Sequence, residues 1–512
     1  MIRVACLVVI YIGLFFLTLM VSTWGNDFPV AYHPDEPSKV LQLTGRFERN
    51  HRHPPLLLDL TQWVHKISGR DNTIPSIAAS GRLASALGAA CVAVLFTAMS
   101  HRLAGGLAAV LVGIMVGLCP SLTLFAHYMK EDVLLVLGMT AVWASAVAFW
   151  LKPTCKMAAC LGIACILAVM AKYIGVVALL VGIVLGIIRL SRLESAQKWK
   201  MSISFLIAMV LSLLVLGYHW WSNGAEAING LKYELDHVQT GHQGLEVSFL
   251  SNLFFYGKQL FWQLQYWPAV MGVIGLVWLT CSAGKKVRLA ARIALGLFLV
   301  YGLCLLLGRV SEDRYALPLV VLLSWFAAMF IEQLIRRIPQ ARLRGVISIA
   351  TCFFVLGAYG YMSYQVAYQF THDGRLEMGT WVQANLNASD TVVEDMYCAM
   401  PDQRYDIQTK LYGKWVPKIR MKHYAADFGT IDQLLAKGVT HIAVCNYSYG
   451  RFLDDSRLFL SENADQKMKN RDQHRREFYR DLLRSGHMVW QHQPRYVLPG
   501  LTSPSLAIYR LQ

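Results

Sequence analysis

Charge is scarce in this 512-residue chain. Lys, Arg, Asp and Glu together make up 16% of it, against roughly 25% in a soluble globular protein. A single soluble domain of this length needs more polar surface than that, so that class is excluded. Cysteine is sparse too, at 11 residues, which excludes a small secreted scaffold built on disulfides. No internal repeat and no low-complexity linker is visible. Hydrophobic types fill the chain instead, at 55%, and 12% is aromatic. The mean hydropathy is +0.40. Disorder is excluded by this content, and a polytopic membrane protein remains. Acid is the scarcer charge, with 32 Asp and Glu against 48 Lys and Arg, a net +16. In a soluble chain that excess suggests nucleic acid or a membrane surface; here the position of each charge relative to the apolar spans decides.

A bilayer-crossing helix needs about 20 mostly apolar residues. Candidates run near 4–24, 76–100, 103–124, 132–151, 201–221, 266–283, 289–308, 315–334 and 345–366. The apolar stretch 157–190 is too long for one span, and Lys172-Tyr173 splits it into two. About eleven spans result. Arg3 precedes the first one and no A-x-A-type site follows, so it reads as an uncleaved span rather than a signal peptide.

Short loops rich in Lys and Arg face the cytoplasm. If Arg3 is cytoplasmic, so are the alternate connections. These carry Arg102; Lys152 and Lys156; Arg189, Arg192, Lys198 and Lys200; Lys285, Lys286, Arg288 and Arg292; and Arg336, Arg337, Arg342 and Arg344. The opposite, outer side receives the loop 25–75, the turn before Asp132, the loop 222–250 and everything after about 367. Residues 1–366 are the transmembrane module. Residues 367–512 read as a small soluble α/β domain, because helical spacing (375–386, 466–483) alternates with short strands (391–393, 441–444, 506–511). Cys398 and Cys445 fall beside those strands and are equally compatible with a disulfide or two free thiols.

Polar groups at membrane depth are costly and mark function more often than chance. The unusual ones gather on the outer side. The first loop opens with His33-Pro34-Asp35-Glu36-Pro37, which alone would pass as a solvated turn. Farther on stands His51-Arg52-His53-Pro54-Pro55-Leu56, readable as a surface anchor. His127-Tyr128-Met129-Lys130-Glu131-Asp132 leads into an apolar helix, where an acid favours the positive end of the helix dipole. Lys172-Tyr173 could snorkel to the interface. Arg309 and Glu312-Asp313-Arg314-Tyr315 could form an ion-pair turn. Each bland account serves alone. Together, five segments put carboxylates, His, Lys and Arg at one face. Carboxylates serve as general bases and can hold metal, while Lys and Arg bind phosphate. That mixture suits an anionic, membrane-held substrate. Arg82, inside the second span, is the main polar exception among the spans.

At these residues the sequence resembles the membrane glycosyltransferases of the GT-C fold, in the branch of protein O-mannosyltransferases and lipid A aminoarabinose transferases (glycosyltransferase family 39-like). Asp35-Glu36 resembles their first-loop acidic pair, and His53-Pro54-Pro55-Leu56 the His-Pro-Pro-Leu of the mannosyltransferases. Asp132 matches a second acid at the start of the fourth span. Lys172-Tyr173 and Arg314-Tyr315 with Pro318 resemble further elements of the branch. The resemblance covers most of 1–366 and is only general over the tail.

The resemblance implies an α-helical polytopic fold of about eleven spans with a small extracytoplasmic domain. It also implies inverting transfer of one sugar from a polyprenyl-phosphate carrier to a lipid, glycan or protein acceptor at the outer face. Asp35 is then the expected general base, as an inverting displacement requires. Glu36 and Asp132 would position the acceptor. His53, Lys172 and Arg314 would neutralise the departing phosphate, with Lys130, Glu131, Glu312, Tyr173 and Tyr315 in support. A divalent metal, if one is used, falls to Asp35 and Asp132. The partners are lipid and sugar, not nucleic acid. A bacterial inner membrane is expected, with a cytoplasmic N-terminus and a periplasmic tail. The loop 222–250 has no counterpart. His53 stands where the aminoarabinose enzymes carry Lys. The competing readings are a multi-pass transporter or lipid flippase, which predicts two related halves and broken mid-membrane helices, and a non-catalytic membrane scaffold whose external domain binds a partner.

Overall fold

A computed structural model describes residues 2–28, 33–240, 248–398, 417–453, 466–498, 500 and 502–511, with side chains from residue 8 onward; the Arg3 side chain lies outside them. The membrane part comprises α1 (Ile2–Thr23), α2 (Glu36–Leu43), α3 (Leu56–Ser68), α4 (Ile74–Ala104), α5 (Gly106–Gly117), α6 (Pro120–Ala126), α7 (Asp132–Leu151), α8 (Cys155–Ala171) and α9 (Val176–Leu190). It continues with α10 (Ser195–Leu216), α11 (Tyr218–Trp221), α12 (Gly224–Thr240), α13 (Phe249–Gln263), α14 (Trp267–Ser282), α15 (Lys285–Leu307), α16 (Leu317–Arg336) and α17 (Ala341–Thr371). Among the described residues, seven helices are long and apolar enough to cross a membrane, or nine if each of two bent pairs counts once. Two shorter apolar helices, Val8–Thr23 and Cys155–Ala171, accompany them.

The long apolar stretch breaks at Lys172, where a single 3-10 turn (Tyr173–Gly175) joins α8 to α9. Helices α5 and α6 meet at 49° just before Pro120, and α13 and α14 at 113°. The stretch 222–250, expected as a loop, is helical over 224–240, and α13 lies between it and the expected span at 266–283. Helix α13 turns sharply into α14 through Gln265 and Tyr266, both at positive φ (51° and 68°). Pro268, in the first turn of α14, suits that start because its missing N–H is not needed there.

Helices α16, α7 and α4 are the most buried spans, while α10 and α17 lie outermost. Trp143 stacks on Phe96 (4.9 Å) and meets Trp325 edge-on (5.0 Å). Their indole N–H groups are satisfied by Ala290 O (3.1 Å) and Ser100 Oγ (3.0 Å), as buried Trp requires. Where helices approach closest, small residues permit it. A Cβ at Gly272 would lie 2.7 Å from Leu323 O, and one at Gly275 2.5 Å from Phe326 O, so α14 rests directly on the α16 backbone.

After α17 and α18 (Gly374–Asn385), the tail folds on a five-stranded sheet: β1 (Thr391–Asp395), β2 (Lys418–Lys422), β3 (His441–Cys445), β4 (His487–His492) and β5 (Leu506–Arg510). The order is β2-β1-β3-β5-β4. β1 runs parallel to β2 and β3; β5 is antiparallel to β3 and β4. Helices α19 (Ile431–Ala436), α20 (Asn446–Leu453) and α21 (Gln466–Ser485) complete it. Cys398 and Cys445 are both buried free thiols in one apolar cluster. The tail touches the bundle through the Arg375 guanidinium, 5.5 Å over the Phe28 ring.

Candidate active site

Loops and helix ends converge at the end of the bundle opposite the Lys/Arg-rich turns. They enclose a cavity of about 270 Å³. Asp35, at the start of α2, lines it, as do His53 from the first loop, Lys130 and Glu131 before α7, Lys172 from the α8–α9 break, and Arg314 and Tyr315 before α16. Each polar side chain stands at a helix end because the spans themselves are apolar; the ends are where the chain can afford charge.

The ion pairs have an order. Lys130 Nζ donates to Asp35 Oδ2, and Lys39 Nζ to Glu131 Oε1. Lys172 Nζ donates to Asp132 Oδ1 at 2.6 Å. Arg314 Nε faces Asp132 Oδ2 at 4.0 Å, with a hydrogen bond from neither. Arg314 Nη1 also donates to Glu312 Oε2 at 3.0 Å. The Lys172 ammonium and the Arg314 guanidinium lie 4.4 and 5.1 Å from the Tyr315 ring centroid, so one aromatic ring serves both cations. Neither Asp35 nor Glu131 caps its helix with a side-chain hydrogen bond, so helix capping does not account for these acids.

Exposure separates them. The Asp35 side chain is 44% exposed, against 3% for Glu131 and 2% for Asp132. Burial works to raise the Asp35 carboxyl, but Lys130, His33 and Lys39 overcome it and hold it below the usual range. Glu131 is likewise held low, by Lys39 and His53 against burial. Buried His33 accepts from the Asp35 N–H at 3.2 Å, as its neutral form can; burial and the nearby Lys130 charge push it well down. His53 is pushed down to about 3 by burial first, then by Lys39, Lys130 and Lys172 against the pull of Glu131. Burial and the surrounding lysines thus favour the neutral ring while the cavity is empty, and His53 lines the cavity where a phosphate contact is expected of it.

Glu36 and Asp132, expected to position the acceptor, are not among the residues that line the cavity. Glu36 is 1% exposed; Arg82 donates to it twice (2.7 and 3.2 Å), and the Met129 N–H once (2.9 Å). Arg82 also donates to Asn26 O and Phe28 O. This network ties the first loop to α4 and to the turn that carries Lys130. Asp132 sets the two cations Lys172 and Arg314. Tyr173 lies behind the wall, donating to His51 O (2.9 Å) and accepting from Trp220 Nε1 (3.2 Å).

Sequence reasoning missed Lys39, the partner of Glu131, and all of α12, whose Tyr233, Glu234 and His237 form part of the wall. Arg52 lies 4.1 Å over the Tyr233 ring. Gly230 lets α12 sit on the backbone at His51, where a Cβ would collide. Lys39 sits four residues after Asp35, the one available signal. Residues 224–240 carry no motif.

No protein-family model matches the sequence, and comparison with curated protein sequences finds no match. Solved structures do match in shape. ArnT from Cupriavidus metallidurans, bound to undecaprenyl phosphate, superposes with a TM-score of 0.52 at 12% identity, over 98% of each chain. Its apo state gives 0.51 at 12% identity, over 100% of this chain and 98% of that one. The archaeal oligosaccharyltransferase AglB from Archaeoglobus fulgidus, in complex with an inhibitory peptide and a dolichol-phosphate, gives 0.50 at 9% identity, over 98% of this chain and 88% of that one. The chain has the GT-C fold. In this GT-C fold the cavity is walled by the first loop, the turn before α7, the α8–α9 break and α12.

The donor set does not fit a divalent metal. Asp35, Glu36, Glu131 and Asp132 are each bound by Lys or Arg, and a cation among them would meet those ammonium and guanidinium groups. Among the described residues no group of three or more His, Cys, Asp and Glu could hold a metal.

Proposed function

We propose that this protein is an inverting glycosyltransferase that moves one sugar from a polyprenyl-phosphate carrier to an acceptor hydroxyl at the outer face of a bacterial inner membrane. The observation that carries the reading is a single cavity in which an exposed carboxylate, Asp35, stands with the cations Lys172 and Arg314. The GT-C fold supports it. So does the Lys/Arg bias of the short loops, which puts the opposite end of the bundle outside.

Asp35 takes the proton of the acceptor hydroxyl as its oxygen attacks the anomeric carbon. The bond from that carbon to the phosphate oxygen breaks on the other face, so the centre inverts. The electron pair leaves with polyprenyl phosphate. Lys172 and Arg314 receive the growing phosphate charge, an electrostatic contribution enlarged where water is excluded. Lys130 fixes the Asp35 carboxylate and keeps it ionised. Asp132 holds the two phosphate cations in place, and no step needs a metal.

The test incubates purified protein with several polyprenyl-phosphate sugars and follows release of polyprenyl phosphate. Wild type should turn over with at least one donor, and Asp35→Asn should lower kcat by about 10²–10⁴-fold. No turnover with any donor, or full activity in both Asp35→Asn and Asp132→Asn, overturns the proposal.

A further inference from the structure

Three carboxylates line the cavity, and the reaction proposed above uses one. Glu131 gives Oε1 to Lys39, yet its Oε2 accepts no hydrogen bond although the side chain is only 3% exposed. Lys130 Nζ is 4.0 Å from that oxygen, beyond hydrogen-bond reach. Glu234, from α12, also has spare capacity. His53 Nδ1 lies 3.8 Å from its Oε1, beyond hydrogen-bond reach, and among the described residues no hydrogen bond reaches it. A buried acceptor without a donor costs about 1–3 kcal/mol, so a cavity wall that keeps one open is built for a ligand that donates.

Charge selects the donor. The cavity carries six Lys and Arg (Lys39, Arg49, Arg52, Lys130, Lys172 and Arg314) against three acids, an excess of three positive charges. A ligand ammonium would enter against that excess. A ligand carboxylate would meet two acids on this wall. A hydroxyl donates without carrying charge into either. We infer that Glu131 and Glu234 form a sugar subsite that accepts hydrogen bonds from the hydroxyl groups of a neutral sugar, with His53 between phosphate and sugar. The inference rests on the donor reading above, in which the phosphate takes Lys172 and Arg314.

The experiment measures equilibrium binding to the full-length protein in detergent. The probes are undecaprenyl phosphate alone, its glucose and mannose derivatives, and its 4-amino-4-deoxyarabinose derivative. One neutral-sugar derivative should bind about tenfold or more tighter than the bare lipid phosphate, about the yield of one hydrogen bond to a charged acceptor. It should also bind tighter than the amino-sugar derivative. Glu131→Gln and Glu234→Gln should each erase most of that preference, while affinity for bare undecaprenyl phosphate stays equal or tightens as the cavity gains positive charge. Glu131→Gln leaves Lys39 short of its partner; if that variant fails to fold, Glu234→Gln alone decides. Undiminished preference in Glu234→Gln, or preference for the amino sugar, overturns the subsite with the donor reading intact. Failure of bare undecaprenyl phosphate to bind wild type sinks the donor reading itself, and the subsite with it.

Discussion

Asp395 in the tail and Glu36, Glu131 and Asp132 at the end of the bundle are all buried carboxylates, and they are held in opposite ways. At the end of the bundle every buried acid has a cation: Glu36 has Arg82, Glu131 has Lys39, and Asp132 has Lys172. In the tail domain Asp395 is fully buried between β1 and β3 and no cation pairs with it among the described residues. It accepts from Ala425 N (2.7 Å) and Tyr479 OH (2.6 Å) on one oxygen and from Cys445 N (3.1 Å) on the other. Titration follows the partners. Asp35 and Glu131 are held below the ordinary range. Burial pushes Asp395 up to about 7 against the pull of its three donors. Cations keep a buried acid charged for electrostatic use. Neutral donors make it a structural knot joining two strands, a turn and α21.

The largest break in that contrast is Glu36→Gln. Arg82, 1% exposed, would keep its charge and lose its counter-ion. Breaking one partner of a buried pair costs about 3–5 kcal/mol, so the thermal midpoint in detergent should fall by several degrees. A midpoint within one degree of wild type would mean that water reaches Arg82 and that the network does not hold the first loop. Asp132→Asn should cost less in stability and more in turnover. Without that charge Lys172 and Arg314 lose their common anchor, and kcat/KM should drop about 10- to 100-fold, a common range for losing a partner that orients binding groups. A change confined to Tm would make Asp132 structural like Asp395.

This contrast also shows where the sequence was legible. Asp35, His53, Lys130, Lys172, Arg314 and Tyr315 could be gathered because a polar residue beside an apolar span is conspicuous, and the loop charges sort such residues to one side. Arg82 was conspicuous for the same reason, but its partner was not, because nothing local distinguishes Glu36 from its neighbour Asp35; only the fold turns one into the cavity and the other onto Arg82. Helix α12 was invisible as a wall because its residues carry no motif and its contact is made by a glycine. In the tail, β1, β3 and β5 announced themselves as apolar runs. Lys418–Lys422 and His487–His492 lie at the sheet edges, where polar and charged types hide a strand. Asp395 gave no signal at all.

A smaller effect separates the two regions by pH. Asp395 titrates higher in the folded chain, about 7, than the roughly 3.9 of an unfolded Asp. The folded state therefore binds more protons between those values. Its contribution to stability is present below about pH 4 and is lost as pH rises toward 7. Asp35 and Glu131 shift down, so their contribution is present above about pH 4 and is lost on acidification. Hydrogen exchange of the β1 and β3 amides in the full chain should thus speed up from pH 5 to 7 beyond the intrinsic rate change. Asp395→Asn should remove that excess, at a cost of about 1–2 kcal/mol at pH 5, where the wild-type acid is mostly neutral. An unchanged excess in the variant would assign the pH response to another group.

The smallest effect is Tyr479→Phe, which tests whether the hydroxyl serves the charged or the neutral form of Asp395. The substitution keeps the ring stacked on Phe452 (5.8 Å) and removes one donor. Oδ1 is not orphaned, because Ala425 N still reaches it. The cost should be about 1 kcal/mol, the ordinary net worth of one hydrogen bond. The Tyr479 hydroxyl favours the ionised carboxylate, so its loss should move the Asp395 titration higher and extend the window of weakening stability above pH 7. A carboxyl signal followed by NMR or infrared titration that moves down instead would mean that the phenol accepts a proton from the neutral acid. Asp395 would then be a hydrogen-bond donor at neutral pH, and its difference from the cation-paired acids would be one of protonation state as well as of partner.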